Sequence, residues 1–147
     1  MNKVQRANQY HDIGYGCAQS VLVAYAPDYD LSEEMALRIA TGFGSGMGRM
    51  CEVCGALTGA FMVVGLAHGK VATDGRKYGA NTEETYRLVA DLAERFSERN
   101  GAILCRELLG YDLSDPAQRT EAAAQGVFVT RCGRYIQDAV ELLEEVL

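Results

Sequence analysis

The segment Gly42-Phe43-Gly44-Ser45-Gly46-Met47-Gly48-Arg49-Met50-Cys51-Glu52-Val53-Cys54-Gly55-Ala56-Leu57-Thr58-Gly59 decides how the chain folds. Glycines at alternate positions from Gly42 to Gly48 permit backbone angles that side chains disfavour, so this part must be a loop. From Cys51 to His68 the chain turns apolar, and Leu57, Phe61 and Val64 recur on one face, which predicts a central buried helix. Gly55, Thr58 and Gly59 would let a neighbouring backbone approach that helix closely, and Gly69 is placed to stop it.

Outward from this centre the same period repeats. Residues 3 to 11 predict a polar first helix that ends at Asp12-Ile13-Gly14-Tyr15-Gly16, and a second helix begins near Cys17, with Cys17, Val21, Ala24 and Tyr25 on its apolar face. Ser32, followed by Glu33 and Glu34, opens a helix to about residue 41, because hydroxyl and carboxylates satisfy free amides and the helix dipole. Beyond the central helix, residues 70 to 79 read as a polar surface connection. A helix over about 81 to 99 then carries Tyr86, Val89, Leu92 and Phe96 inward and ends at Asn100-Gly101. A short helix from about 103 to 109 holds Cys105 and stops at Gly110. Asp115-Pro116 caps and opens another helix through about 124, and the last, from about 128 to 146, puts Cys132, Tyr135, Ile136, Ala139 and Leu143 on one stripe. Alternating β-branched runs are scarce. The expectation is an all-α bundle of about six or seven helices forming a single domain over residues 1–147, with a glycine-rich loop before a central buried helix.

The chain carries a formal net charge of −6, with no cluster of Lys and Arg, which excludes nucleic acid as a partner. The most apolar stretch, Val53 to Ala67, is short and interrupted by Gly55, Thr58, Gly59 and Gly65, so no membrane span is expected. The polar start, with Asn2, Lys3, Gln5 and Arg6, leads into no apolar region of a secretory signal, and the expected location is the cytoplasm. There the five cysteines, Cys17, Cys51, Cys54, Cys105 and Cys132, are not a framework of structural disulfides.

Cys17, Cys54 and Cys132 fall at or near predicted helix starts. Free amides and the positive end of the dipole there can lower a thiol pKa from about 8.5 into a range of about 3.5 to 7.5. Against this stands the ordinary use of cysteine as a small buried hydrophobe. Cys51-Glu52-Val53-Cys54 has the C-x-x-C spacing but no βαβ surroundings of a thioredoxin, and no second C-x-x-C completes a zinc ribbon. The glycine loop follows a helix, not a strand, and lacks a GK[ST] ending, so it is not a nucleotide cradle. His11 and His68 have no acid at a catalytic spacing and read as exposed or capping residues, although either could reach a cysteine in space.

Gly14-Tyr15-Gly16-Cys17-Ala18-Gln19-Ser20-Val21, the Gly42 to Gly48 loop, Cys54-Gly55-Ala56-Leu57-Thr58-Gly59, Cys105 and Cys132 together resemble the C_GCAxxG_C_C family of redox-active proteins, from about residue 8 to residue 140. The resemblance implies four characteristic cysteines, matched by Cys17, Cys54, Cys105 and Cys132, with Cys51 additional and free to pair locally with Cys54. It also implies a partner linked to transporters, through gene neighbourhood, and it supplies no substrate. The leading expectation is a redox protein in which these four thiols converge for thiol-disulfide or electron-transfer chemistry, with Cys17 or Cys54 attacking. The alternatives are that the same four sulfurs ligate an iron-sulfur cluster or a zinc ion, or that the protein is a noncatalytic helical adaptor with cysteines in its core.

Overall fold

The computed structural model describes residues 1–147. Eight right-handed helices follow one another without a strand: α1 (Lys3–Asp12), α2 (Cys17–Tyr25), α3 (Glu33–Ala40), α4 (Gly55–His68), α5 (Ala80–Asn100), α6 (Cys105–Leu109), α7 (Pro116–Ala124) and α8 (Val127–Val146). Each of them falls in a segment where the sequence predicts a helix. The start signals operate as read: Ser32 Oγ accepts from the Met35 amide, and Asp115 caps a helix with Pro116 in its first turn. At the C-terminal ends of α5 and α6, Gly101 and Gly110 adopt φ of 84° and 75°, the left-handed geometry that a side chain would strain.

The core is one cluster of 33 buried residues, centred on α4. α2 lies closest along α4, and the reason is the glycine seam. A Cβ added at Gly59 would stand 2.9 Å from Ala18 O and 3.1 Å from Ala18 Cα, so only glycine lets the two backbones meet. On the other side, α5 and α8 close over the core with Leu88, Leu92, Phe96, Tyr135, Ile136 and Leu143. Arg99 spans these two helices to reach Asp138, Glu141 and Glu145. Tyr86, expected inside, is 56% exposed, because Leu88 rather than Tyr86 continues the buried stripe of Leu92 and Phe96.

Two further expectations change. α4 begins at Gly55, not Cys51, because residues 51 to 54 are drawn out of the helix by pairing with residues 103 to 106. The Cys54 amide donates to Ile103 O (2.8 Å), the Cys105 amide to Glu52 O (2.6 Å) and the Arg106 amide to Cys51 O (3.2 Å), around an isolated antiparallel bridge of Val53 with Leu104. Secondly, the glycine loop is a wound turn. Ser45, Gly46, Met47, Gly48 and Arg49 all have φ between 56° and 68°, giving one consecutive left-handed run. Each residue with a side chain pays about 1–2 kcal/mol for that conformation. The run is tied by Gly48 N–H to Gly44 O, Cys51 N–H to Ser45 O and Glu52 N–H to Gly46 O.

Candidate functional site

Cys17, Cys54, Cys105 and Cys132 line one cavity of about 480 Å³. Each is brought there by a different device. Cys17 is the first residue of α2, where Gln19 Oε1 accepts from the Gly16 amide and Gln19 Nε2 donates to Leu37 O and Thr41 Oγ1, anchoring the start of α2 to the end of α3. The glycine seam then carries Cys17 to the start of α4. A Cβ on Gly55 would lie 3.3 Å from Cys17 Cβ and 3.0 Å from Phe43 O.

Cys54 is the N-cap of α4, and the Val53–Leu104 bridge sets Cys105, the first residue of α6, beside it. Cys132 comes from α8. Its neighbours on that helix fasten α6: Tyr135 OH donates to Leu108 O (3.0 Å), and Arg131 donates to the carbonyls of Leu108 and Leu109 (3.1 Å each). These last carbonyls of a short helix would otherwise lack partners. Cys132 itself sits in the second turn of α8, farther from the free amides than its expected place at the helix start.

The electrostatics differ from a row of dipole-activated thiols. Burial pushes Cys54 up to about 12, while the Ala56 and Leu57 amides of the first turn of α4 only partly oppose it. Desolvation of the charged form thus outweighs the helix terminus, and the compensating amides belong to the helix rather than to the glycine loop. Cys105 is raised by burial in the same way, then by the other thiols around it. Cys17 and Cys132 act on each other. The Cys17 thiol, acting as donor, holds Cys132 below the ordinary thiol value against the opposing effect of burial, and Cys132 in turn raises Cys17 well above that value. In this pair the first proton leaves Cys132, and Cys17 keeps the second as donor to the thiolate.

The rest of the wall was only partly legible in the sequence. Tyr135 follows from its place one turn after Cys132 on the apolar stripe. His11, read as exposed or capping, instead lines the cavity together with Asp12 and Tyr15. A Cβ at Gly133, next to Cys132, would be 3.8 Å from the His11 ring. No spacing rule connects α1 with α8, so only the packed fold reveals this neighbour. Leu108, Leu109, Leu113 and Phe128 supply an apolar lining, and no Lys or Arg enters it.

No three His, Cys, Asp or Glu side chains in the chain are placed together as a metal-ion site. Cys51, expected on a helix with Cys54, lies outside the cavity in a non-helical segment and has a left-handed φ of 58°. Its sulfur accepts from the Leu113 amide (3.3 Å) and donates to Arg49 O (3.6 Å). Cys51 and Cys54 are therefore not one turn apart on a helix.

An all-α fold with a thiol-lined cavity at the junction of α2, α4, α6 and α8 defines the class. The chain belongs to the C_GCAxxG_C_C family, described as "Putative redox-active protein (C_GCAxxG_C_C)", which it matches over residues 15–146. No curated protein and no solved structure matches it. No helix is long and apolar enough to cross a membrane.

Proposed function

We propose that this chain is a thiol-disulfide redox protein of the cytoplasm whose reactive pair is Cys17 and Cys132, acting on a small, uncharged disulfide held in the cavity. The observation that carries this reading is that the two thiols share one cavity wall, near enough for each to shift the other's proton affinity, which favours a thiolate on Cys132 with a proton donor beside it. A cavity of about 480 Å³ suits a small molecule, and an apolar lining without Lys or Arg does not attract an anionic one.

The Cys132 thiolate attacks one sulfur of the bound disulfide. The substrate S–S bond breaks, a mixed disulfide forms on Cys132, and the departing thiolate takes the proton of Cys17. The Cys17 thiolate then attacks Cys132 Sγ and expels the second substrate thiolate, which is protonated from solvent by the equivalent of the proton Cys132 first released. Two protein thiols are oxidised to one disulfide, and one substrate disulfide is reduced to two thiols. Cys54 and Cys105 stay protonated during this step, because burial raises both. A dithiol reductant of the cytoplasm restores the pair.

Incubating the reduced protein with 2-hydroxyethyl disulfide, followed by alkylation and peptide mass spectrometry, tests the reading. Joint loss of alkylation at Cys17 and Cys132, restored by dithiothreitol, is expected. Full alkylation of all five thiols after prolonged incubation would sink it and leave the cysteines as core residues.

A further inference from the structure

Cys51 is the thiol that this chemistry leaves unused, and its surroundings are specific. It does not line the cavity, yet a Cβ at Gly46 would lie 2.7 Å from Cys51 Cα and 2.8 Å from Cys105 Cβ. The two residues therefore converge on one glycine. The Cys105 and Arg106 amides, paired with the carbonyls of Glu52 and Cys51, hold the two chain segments in register. Among the cavity thiols, Cys105 is the one that shares the Gly46 contact with Cys51. Cys51 also carries a side chain in the left-handed region, which side chains disfavour, next to a segment wound left-handed up to Arg49.

We infer that Cys51 and Cys105 form a second redox pair, behind the cavity, which accepts the disulfide generated at Cys17 and Cys132. The inference rests on the function proposed above. Cys105 is the link, because it faces the cavity and also adjoins Cys51. The Cys105 sulfur attacks Cys17 Sγ, the Cys17–Cys132 bond breaks, and Cys132 leaves first because the more acidic thiol is the better leaving group. The Cys51 sulfur then attacks Cys105 and releases Cys17. Two protons pass from Cys51 and Cys105 to Cys17 and Cys132, one disulfide replaces another, and no outside oxidant or reductant enters the step. Its direction follows from thiolate stability: a pair whose reduced, ionised form is favoured makes the more oxidising disulfide, and that description fits the cavity pair rather than buried Cys105. The transfer frees the cavity thiols for another substrate while the chain remains oxidised.

The test follows the full chain through time after addition of 2-hydroxyethyl disulfide, with quenching by acid, alkylation and disulfide mapping. The expected course is an early Cys17–Cys132 disulfide, replaced by Cys51–Cys105 with Cys17 and Cys132 again alkylatable. In Cys51→Ser, whose hydroxyl can still accept from the Leu113 amide, oxidation should stop at Cys17–Cys132. Persistent Cys17–Cys132 in the unsubstituted chain, with Cys51 alkylated after denaturation, overturns the inference and leaves the proposed function standing. A Cys51–Cys105 disulfide that forms equally fast in Cys132→Ala overturns the transfer as well. Failure of Cys17 and Cys132 to oxidise in both the unsubstituted chain and Cys51→Ser overturns the function itself.

Discussion

Cys17, at the start of α2, and Cys132, in the second turn of α8, meet on one cavity wall and shift each other's proton affinity, although they come from near opposite ends of the chain. Neither helix would make its thiol acidic by this route alone. In Cys17→Ala the thiolate on Cys132 loses its donor, while burial still opposes its charge. The pH profile of Cys132 alkylation should therefore begin below the ordinary thiol range in the unsubstituted protein and shift upward in Cys17→Ala. Cys17→Ser, which keeps a donor, should fall between them. Site-resolved alkylation rates against pH measure this directly.

Cys54 makes the opposite contribution to stability. Its folded-state pKa of about 12 exceeds the ordinary thiol value of 9.0, so folding holds it protonated where an unfolded chain would ionise it. Its stabilising effect is complete below about pH 9 and disappears as pH rises towards 12, at about 1.4 kcal/mol per pH unit. Buried Cys105 and Tyr25, both raised, act with the same sign. Urea unfolding midpoints should fall steeply with pH in this window, and Cys54→Ala should flatten that slope even though its absolute stability is lower.

Gly46 and Gly48 separate two reasons for glycine in the left-handed turn. Their φ values are 64° and 58°, but a Cβ on Gly46 would strike Glu52 N at 2.6 Å and Cys51 Cα at 2.7 Å, while one on Gly48 meets nothing within 4 Å. Gly48→Ala should cost about 1 kcal/mol for conformation alone, and Gly46→Ala about 3 kcal/mol or more, from conformation and overpacking together. Denaturant melts of the two variants give the comparison. Faster alkylation of Cys105 in Gly46→Ala would accompany the loss, because the clash loosens the clip between residues 51 to 54 and 103 to 106.

The fold itself should not depend on metal. One apolar cluster of 33 buried residues holds the helices together, and no set of side chains is arranged as a metal site. Dialysis of the reduced protein against a chelator should leave its helical circular dichroism and thermal midpoint unchanged. Collapse of the far-ultraviolet signal on chelation is the outcome that contradicts this account, since proteins folded by structural zinc lose their structure without it.

The helices were legible because their causes are local. Ser32, Asp115 and Pro116, together with the apolar stripe from Cys132 to Leu143, act on amides and side chains within a turn or two, so their effect can be read in order along the chain. The glycine seam of α4 was legible for a related reason: Gly55 and Gly59 recur on one face, and a helix without side chains there invites a neighbour. Tyr86 failed this reading because more than one apolar stripe can be drawn on α5, and only packing against α4 and α8 selects Leu88, Leu92 and Phe96.

The sequence by itself determined the all-α class, most helix limits, the family and the four cysteines to watch. Tertiary structure decided what those cysteines are. It took Cys51 and Cys54 out of the helix, through a bridge between Val53 and Leu104 that local pattern cannot anticipate. It buried Cys54 deeply enough for desolvation to outweigh the first amides of α4, and it put Cys132 within reach of the Cys17 proton. A thiol's proton affinity depends on how much water surrounds it and which charges and donors face it. Both are sums over residues distant in the chain, so they exist only once the chain has folded.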